Sequence, residues 1–133
     1  MSIKDPIADL FTRIRNAIKS NHIFVEIPFS NTKLHILKIL KTAGYIDSYN
    51  ILNHDLTKRF LRIKLKYDKS GASYITSIKR VSKSSKRLYL SKSKIPKVRN
   101  GFGISIMSTS KGIMTGKEAR IKNVGGEYLG EVY

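Results

Sequence analysis

The residues best suited to chemistry lie in one short run, Ser108-Thr109-Ser110-Lys111-Gly112, continued by Ile113-Met114-Thr115. Three consecutive hydroxyls can donate to and accept from phosphate, ribose or base edges. None of the three side chains is bulky, so a nucleic acid can approach the backbone closely. Lys111 adds a charge, and Gly112 permits a left-handed turn that ends a strand. Thr115 and Glu118 then stand three residues apart, the spacing of a helix-capping box. The run is therefore expected to be a loop leading directly into a helix N-terminus, whose free N–H groups favour phosphate. Taken alone, a Ser/Thr-rich run is an ordinary polar connector. Its surroundings argue for more. No acid occurs between Asp68 and Glu118, while that stretch carries twelve basic residues, Lys83, Lys86, Arg87, Lys111 and Lys117 among them. Such a basic patch is the footprint of a nucleic-acid partner.

Aromatic residues are interleaved with these cations: Tyr74, Tyr89, Phe102 and Tyr128. An exposed tyrosine stacks on an unpaired base, although a tyrosine on a strand is more often half-buried packing. Arg87-Leu88-Tyr89 alternates, which puts Arg87 and Tyr89 on one face and Leu88 on the other. If that face is the wet one, both reach a partner.

The whole chain points the same way. Its 133 residues hold 26 lysines and arginines against 9 acids, a formal net charge of +17. That surplus repels itself in the folded state. A polyanion offsets it, and each neutralised phosphate releases a condensed counterion. At 41% hydrophobic the chain can build a core and is not a disordered tail.

Other chemistries find little support. With no cysteine, a disulfide scaffold and a thiolate metal site are excluded. His22, His35 and His54 share no metal-ligand spacing. The carboxylates are dispersed, and no serine sits in a nucleophile elbow, so no enzyme, cofactor or metal is expected. Gly112 to Glu118 is one residue short of a P-loop and lacks the hydroxyl after its lysine. Gly101-Phe102-Gly103 has no third glycine at dinucleotide spacing. MSIKDPIADL carries two aspartates and no apolar core of signal-peptide length, and no apolar run approaches a membrane span. The chain is expected to stay in the soluble compartment where it is made.

The elements that must position the hydroxyl run are legible in outline. Asp5-Pro6 starts a helix, with Ile7, Leu10, Phe11, Ile14 and Ile18 at helical spacing. Phe24–Pro28 reads as a strand. Ser30 or Asn31 caps a second helix through Leu34, Leu37, Leu40 and Ala43, ended by Gly44. Tyr45–Ile51 reads as a strand. In Phe60–Tyr67, Leu61, Ile63, Leu65 and Tyr67 face one way and Arg62, Lys64 and Lys66 the other. The fold class is α+β with two small lobes: an αβαββ open sandwich over 1–67, a linker over 68–71, and a mostly β lobe over 72–133. Strands are expected at 74–80, 86–90, 102–107 and 127–133, with a short helix near 116–122.

On these residues the chain resembles the family of ribosomal protein eight of the bacterial and organellar small subunit. DPIADLFTRIRNA is similar to the family's opening. KRVSKSSKRLYLSKSKIPKV followed by GFGISIMSTSKGIMT is similar to its second-half signature, and VGGE to its closing strand. The resemblance covers nearly the whole length. It implies a structural constituent of the small ribosomal subunit, a monomer within the particle. That constituent is a primary binder of the central domain of small-subunit ribosomal RNA and an aid to assembly. It implies neighbouring small-subunit proteins as partners, no membrane, and a bacterial cytoplasmic or organellar ribosome. The alternative is a free-standing RNA chaperone or a translational repressor of its own messenger RNA.

The family's chief RNA loop maps onto Ser108, Thr109, Ser110, Lys111 and Gly112. Its arginine–tyrosine pair maps onto Arg87 and Tyr89, and its closing motif onto Gly125, Gly126 and Glu127. Lys83, Lys86 and Lys117 flank these. The resemblance leaves Glu127 two roles, accepting hydrogen bonds from base amino groups or orienting Lys111. Thr12, Arg13, Arg15, Asn16 and Lys33 are expected as secondary RNA contacts. There are two departures. Ser84-Ser85 stands where the family has a proline-glycine turn, so that hairpin should be looser or use another turn type. Gly130 removes a side chain from an expected buried position, which should weaken the last strand.

Overall fold

The first helix begins where Asp5 caps it. Asp5 Oδ1 accepts the Ala8 N–H at 3.1 Å, and α1 runs from Pro6 to Lys19. The computed structural model describes residues 5–53 and 57–133, so His54 lies outside the described residues. Along α1 the expected stripe is buried at Ile7, Leu10, Phe11 and Ile14, with Ala17 completing it. Strand β1 (Phe24–Pro28) follows, then α2 (Asn31–Thr42), β2 (Ile46–Asn53) and β3 (Arg59–Leu65). Ser30 is the cap of α2, its hydroxyl accepting the Lys33 N–H at 3.2 Å.

The three strands form an antiparallel sheet in the order β1-β3-β2. Leu61, Ile63 and Leu65 are buried on β3, and Arg62 and Lys64 between them are exposed. Ile27, Ile36, Leu37 and Leu40 are fully buried with them. Each such side chain stabilises by roughly 1.5–3 kcal/mol. This αβαββ arrangement is the expected one. Residues 9–75 make one compact unit, and residues 76–133 make a second together with the start of α1 through Ala8.

The second unit is built around its latest strand. Its elements are β4 (Ile78–Arg80), β5 (Tyr89–Leu90), β6 (Ile104–Thr109), β7 (Gly112–Thr115), α3 (Gly116–Ile121) and β8 (Gly126–Val132). Two 3-10 turns, Lys92–Lys94 and Val98–Gly101, lie between β5 and β6. β8 pairs antiparallel with β6 along one edge, and with β4 and then β5 along the other. β7 closes the far side of β6. Ile95, Met107, Met114, Ala119 and Tyr128 form the core beneath the sheet, with Val81, Leu90 and Val124 packed against it. Asp5 also serves this unit. Its second oxygen takes Arg80 Nε at 3.2 Å, and Arg80 Nη1 donates to the Leu129 carbonyl at 2.7 Å.

Several expectations for this half need correction. The strands expected at 74–80 and 86–90 shrink to three and two residues. The Thr76 and Ser77 N–H groups both turn to the Tyr133 carbonyl, at 2.7 and 2.8 Å. Lys83 and Lys86 close their own two-residue turn with reciprocal backbone bonds of 3.0 Å. That turn is not loose. Neither Ser84 nor Ser85 has positive φ, so the turn is not of the primed types that continue a ladder, and pairing stops at one bridge. The strand expected at 102–107 starts at Ile104 and runs on to Thr109.

Gly130 is buried as expected and lies beside a bulge. Ile106 faces Gly130 and Met107 faces Tyr128, so Leu129 is the extra residue. A bulge breaks the two-residue period. Here it lets adjacent Tyr128 and Leu129 both be buried, at 3% exposure each.

Candidate nucleic-acid interface

The hydroxyl run is a hairpin, not a loop into a helix. Ser108 and Thr109 end β6, Ser110 and Lys111 make the turn, and Gly112 opens β7 with φ +109. A turn of negative-φ residues followed by a positive-φ glycine is a common hairpin closure. The Thr109 hydroxyl is spent on that turn: it donates to the Gly112 carbonyl at 2.8 Å and accepts the Lys111 N–H at 3.1 Å. Among the described residues, the hydroxyls of Ser108 and Ser110 have no such partner.

Strand β7 separates the turn from α3. Its four residues span about 13 Å at strand rise. The helix terminus is also closed by its own capping box. Thr115 Oγ1 accepts the Glu118 N–H at 3.2 Å, and Glu118 Oε1 accepts the Thr115 N–H at 3.4 Å. A carboxylate of the chain itself therefore stands at that terminus and takes the Thr115 N–H.

Strand registry assembles the rest. Ile113 faces Ser108, Ser108 faces Glu127, and Glu127 faces Tyr89. Directly opposed residues point to the same side of a sheet. Adjacent strands lie about 5 Å apart, so these four side chains form one row about 14 Å long. Met107, Met114 and Tyr128, one residue along, point into the core. The row therefore lies on the opposite face. Tyr89 is 67% exposed there.

Arg87 joins the row through Glu127, with Nη1 at 3.2 and 3.0 Å from the two carboxylate oxygens. That hydrogen bond, then the charge behind it, raises Arg87 above the ordinary guanidinium value. Glu127 also accepts the Ser82 hydroxyl at 2.5 Å. It thus holds Arg87 and Ser82, and does not orient Lys111.

Gly125 and Gly126 act by being small. A β-carbon on Gly126 would collide with the Ser108 carbonyl oxygen, and one on Gly125 with that of Leu90. Both glycines let β8 enter between its neighbours. Lys83, Lys86 and Lys117 are exposed. Tyr128 is withdrawn from any partner. Burial, then the Glu131 carboxylate accepting its hydroxyl at 2.7 Å, pushes its phenol up. Tyr74 is half-exposed with Lys66 Nζ 4.6 Å from its ring centre, and Phe102 is 90% exposed.

In the first unit, Thr12, Arg13, Arg15 and Asn16 are exposed on α1. Arg13 and Asn16 line a surface hollow with Ser20, His22 and Phe24. Lys33 is different. It is 2% exposed, and its Nζ donates to the Pro28 carbonyl at 3.1 Å. Burial lowers its ammonium below the ordinary value, Asp9 opposes that shift and Arg13 adds to it. Lys33 is not offered to a partner. A signal was present: Lys33 stands three and four residues before buried Ile36 and Leu37, on the same helix face. Ser82 was missed altogether, for it is one of several serines in a basic run and its partner is 45 residues away.

These features define a class: a basic α+β protein with one sheet face set with hydrogen-bonding groups. Among the described residues no helix is long and apolar enough to cross a membrane, and no three His, Asp or Glu side chains are grouped to hold a metal. The chain matches the family model of ribosomal protein S8 over residues 5–133, and it belongs to that family. It is 52% identical to small ribosomal subunit protein uS8 of Mycoplasmopsis pulmonis over 131 residues, 98% of each chain. The protein of the same name from Halothermothrix orenii is 49% identical over 129 residues, 97% of each. That from Streptococcus sanguinis is 47% identical over 133 residues, the full length of both. The family is a structural component of the ribosome, and the chain is not an enzyme.

Proposed function

We propose that this chain is a structural constituent of the small ribosomal subunit. In this reading it binds the central domain of the subunit's RNA directly and aids assembly, as a monomer among neighbouring ribosomal proteins. The observation that carries the reading is the row Ser108–Glu127–Tyr89 with Arg87 attached, beside the Ser110-Lys111 turn that follows β6. It sets short hydroxyls, an exposed aromatic ring and a guanidinium side by side in a unit whose lysines face solvent.

Each part has a physical task. Ser108 and Ser110 hydrogen-bond ribose or base edges. Tyr89 stacks on an unpaired base. Lys83, Lys86, Lys111 and Lys117 neutralise phosphates. Thr109, Gly112, Gly125 and Gly126 shape the backbone that RNA approaches. The RNA-binding lobe is residues 72–133, and Thr12, Arg13, Arg15 and Asn16 supply secondary contacts.

The test compares Ser110→Ala with Lys83→Ala on a central-domain RNA fragment and on a scrambled RNA. The serine change should weaken the fragment about 2- to 10-fold, the worth of one neutral hydrogen bond, and spare the scrambled RNA. The lysine change should weaken both alike and lower the salt slope by about 1. Equal losses on both RNAs for both variants would favour a free-standing chaperone that binds by charge alone.

A further inference from the structure

We propose that Ser82 is a positioning residue of this face. Acting through Glu127, it sets Arg87 and so decides which RNA the face prefers. The inference rests on the RNA-binding reading above.

Ser82 is 0% exposed and cannot itself touch RNA. Its hydroxyl accepts the Leu88 N–H at 3.0 Å. With the backbone donating to it, the hydroxyl proton is directed to Glu127 Oε2, 2.5 Å away. Glu127 then receives Arg87 Nη1 on both oxygens. A chain of bonds therefore runs from main chain to serine, to carboxylate, to guanidinium. Only its last member is half-exposed, the Glu127 side chain being 12% exposed and that of Arg87 52%.

The consequence is a defined pattern of donors and acceptors. A carboxylate offers about four lone-pair sites, and these bonds occupy three. The remaining site takes a hydrogen-bond donor, a base amino group or a ribose hydroxyl, and refuses phosphate. Arg87 meanwhile keeps Nε and Nη2 for acceptors. One acceptor beside fixed donors is a pattern that a bare run of phosphates cannot match, so it adds selectivity more than affinity. Without Ser82, the carboxylate loses its buried anchor. It is then free to swing toward incoming phosphates, and Arg87 loses its fixed direction.

A double-mutant cycle of Ser82→Ala and Glu127→Gln tests this, with binding to the central-domain fragment and to scrambled RNA, and a thermal melt of each variant. Ser82→Ala should reduce the ratio of the two affinities about tenfold, the scale of a bond to a charged group. In the Glu127→Gln background the serine change should leave the ratio nearly unchanged, because the two residues act as one unit. A purely structural serine would lower the melting temperature, weaken both RNAs alike and add to the glutamine change. That result overturns the proposal. If the alanine variant does not fold, Ser82→Cys fills the site with a somewhat larger group that is only a weak donor, and the same expectation holds for it. A wild-type chain that does not distinguish the two RNAs would instead overturn the RNA reading itself.

Discussion

In the unit of residues 9–75, several cations are tied down within the unit. Arg13 pairs with Asp9 at 2.9 Å and Lys64 with Asp47 at 3.6 Å. Arg59, Arg62 and Lys66 stack 4.0 to 4.6 Å from the ring centres of Phe29, Phe24 and Tyr74. In the unit of residues 76–133 it is the acids that are engaged. Asp5 caps α1 and holds Arg80, Glu118 caps α3, Glu127 holds Ser82 and Arg87, and Glu131 takes the Tyr128 hydroxyl. The lysines Lys83, Lys86, Lys111 and Lys117 have no side-chain partner among the described residues. The arginines of both units are largely engaged, so the contrast lies in the lysines, several of which are tied down in the first unit and left for a partner in the second. Which residue types stand in excess matters less than which of them the fold has already paired.

The comparison can be broken most severely at Gly126. Gly126→Ala drives a β-carbon into the Ser108 carbonyl. It should destabilise the chain by about 1–3 kcal/mol, as overpacking does, and should abolish selective RNA binding. Urea unfolding with a parallel binding titration reads both. Unchanged stability would mean that the strands part easily there and the row is not rigid.

Alkali gives a second handle. Tyr128 is held above its ordinary value of 10.0. The folded phenol keeps its proton where the unfolded one loses it. Its contribution is therefore whole below pH 10 and is lost as the pH rises above 10. Tyr128→Phe should cost about 1–2 kcal/mol at neutral pH through the lost hydrogen bond and flatten the alkaline decline. Tyr45 and Tyr67, also raised by burial, act with the same sign in the other unit, so the flattening is partial. Melts between pH 9 and 11, about one unit either side of the ordinary phenol value, check it.

The smallest effects sharpen the contrast most. Lys111→Ala should lower the salt slope of RNA binding by about 1, and Lys64→Ala should leave it unchanged. Both should alter stability by less than about 0.5 kcal/mol. Equal slopes for the two variants would erase the distinction between the units.

What could be read from the sequence follows the range of the interactions involved. Leu61, Ile63 and Leu65 alternate within one strand, and the α1 stripe repeats within one helix, so the αβαββ order was plain. Thr115 and Glu118 declared their capping box three residues apart. The second sheet was harder because its strands are defined by β8. Tyr89 and Leu90 are a strand only because Glu127 and Gly126 lie opposite. β7 was hidden because Gly112 reads as a strand end and Thr115 as a helix start, which leaves only two residues between. Lys33 reads as a surface cation by its charge alone, but its place on the helix face buries it. The division of labour among the proposed site residues was not visible. Thr109 and the two glycines turned out to shape the backbone, and buried Ser82 stood unnoticed behind Glu127.

The place of β8 bears on how the protein comes into being. Among the described strands it is synthesised last, yet it lies inside its sheet, with β4, β5 and β6 all resting on it. Residues 9–75 are contiguous and can fold while the ribosome is still adding the remainder. The second sheet cannot close until residues 126–132 have emerged, and its pairings with β4 span some fifty residues. Such distant pairings form slowly. Because Glu127 belongs to that last strand, a nascent chain has no finished row to offer. The face is made only when residues 126–132 are free to pair with β4, β5 and β6.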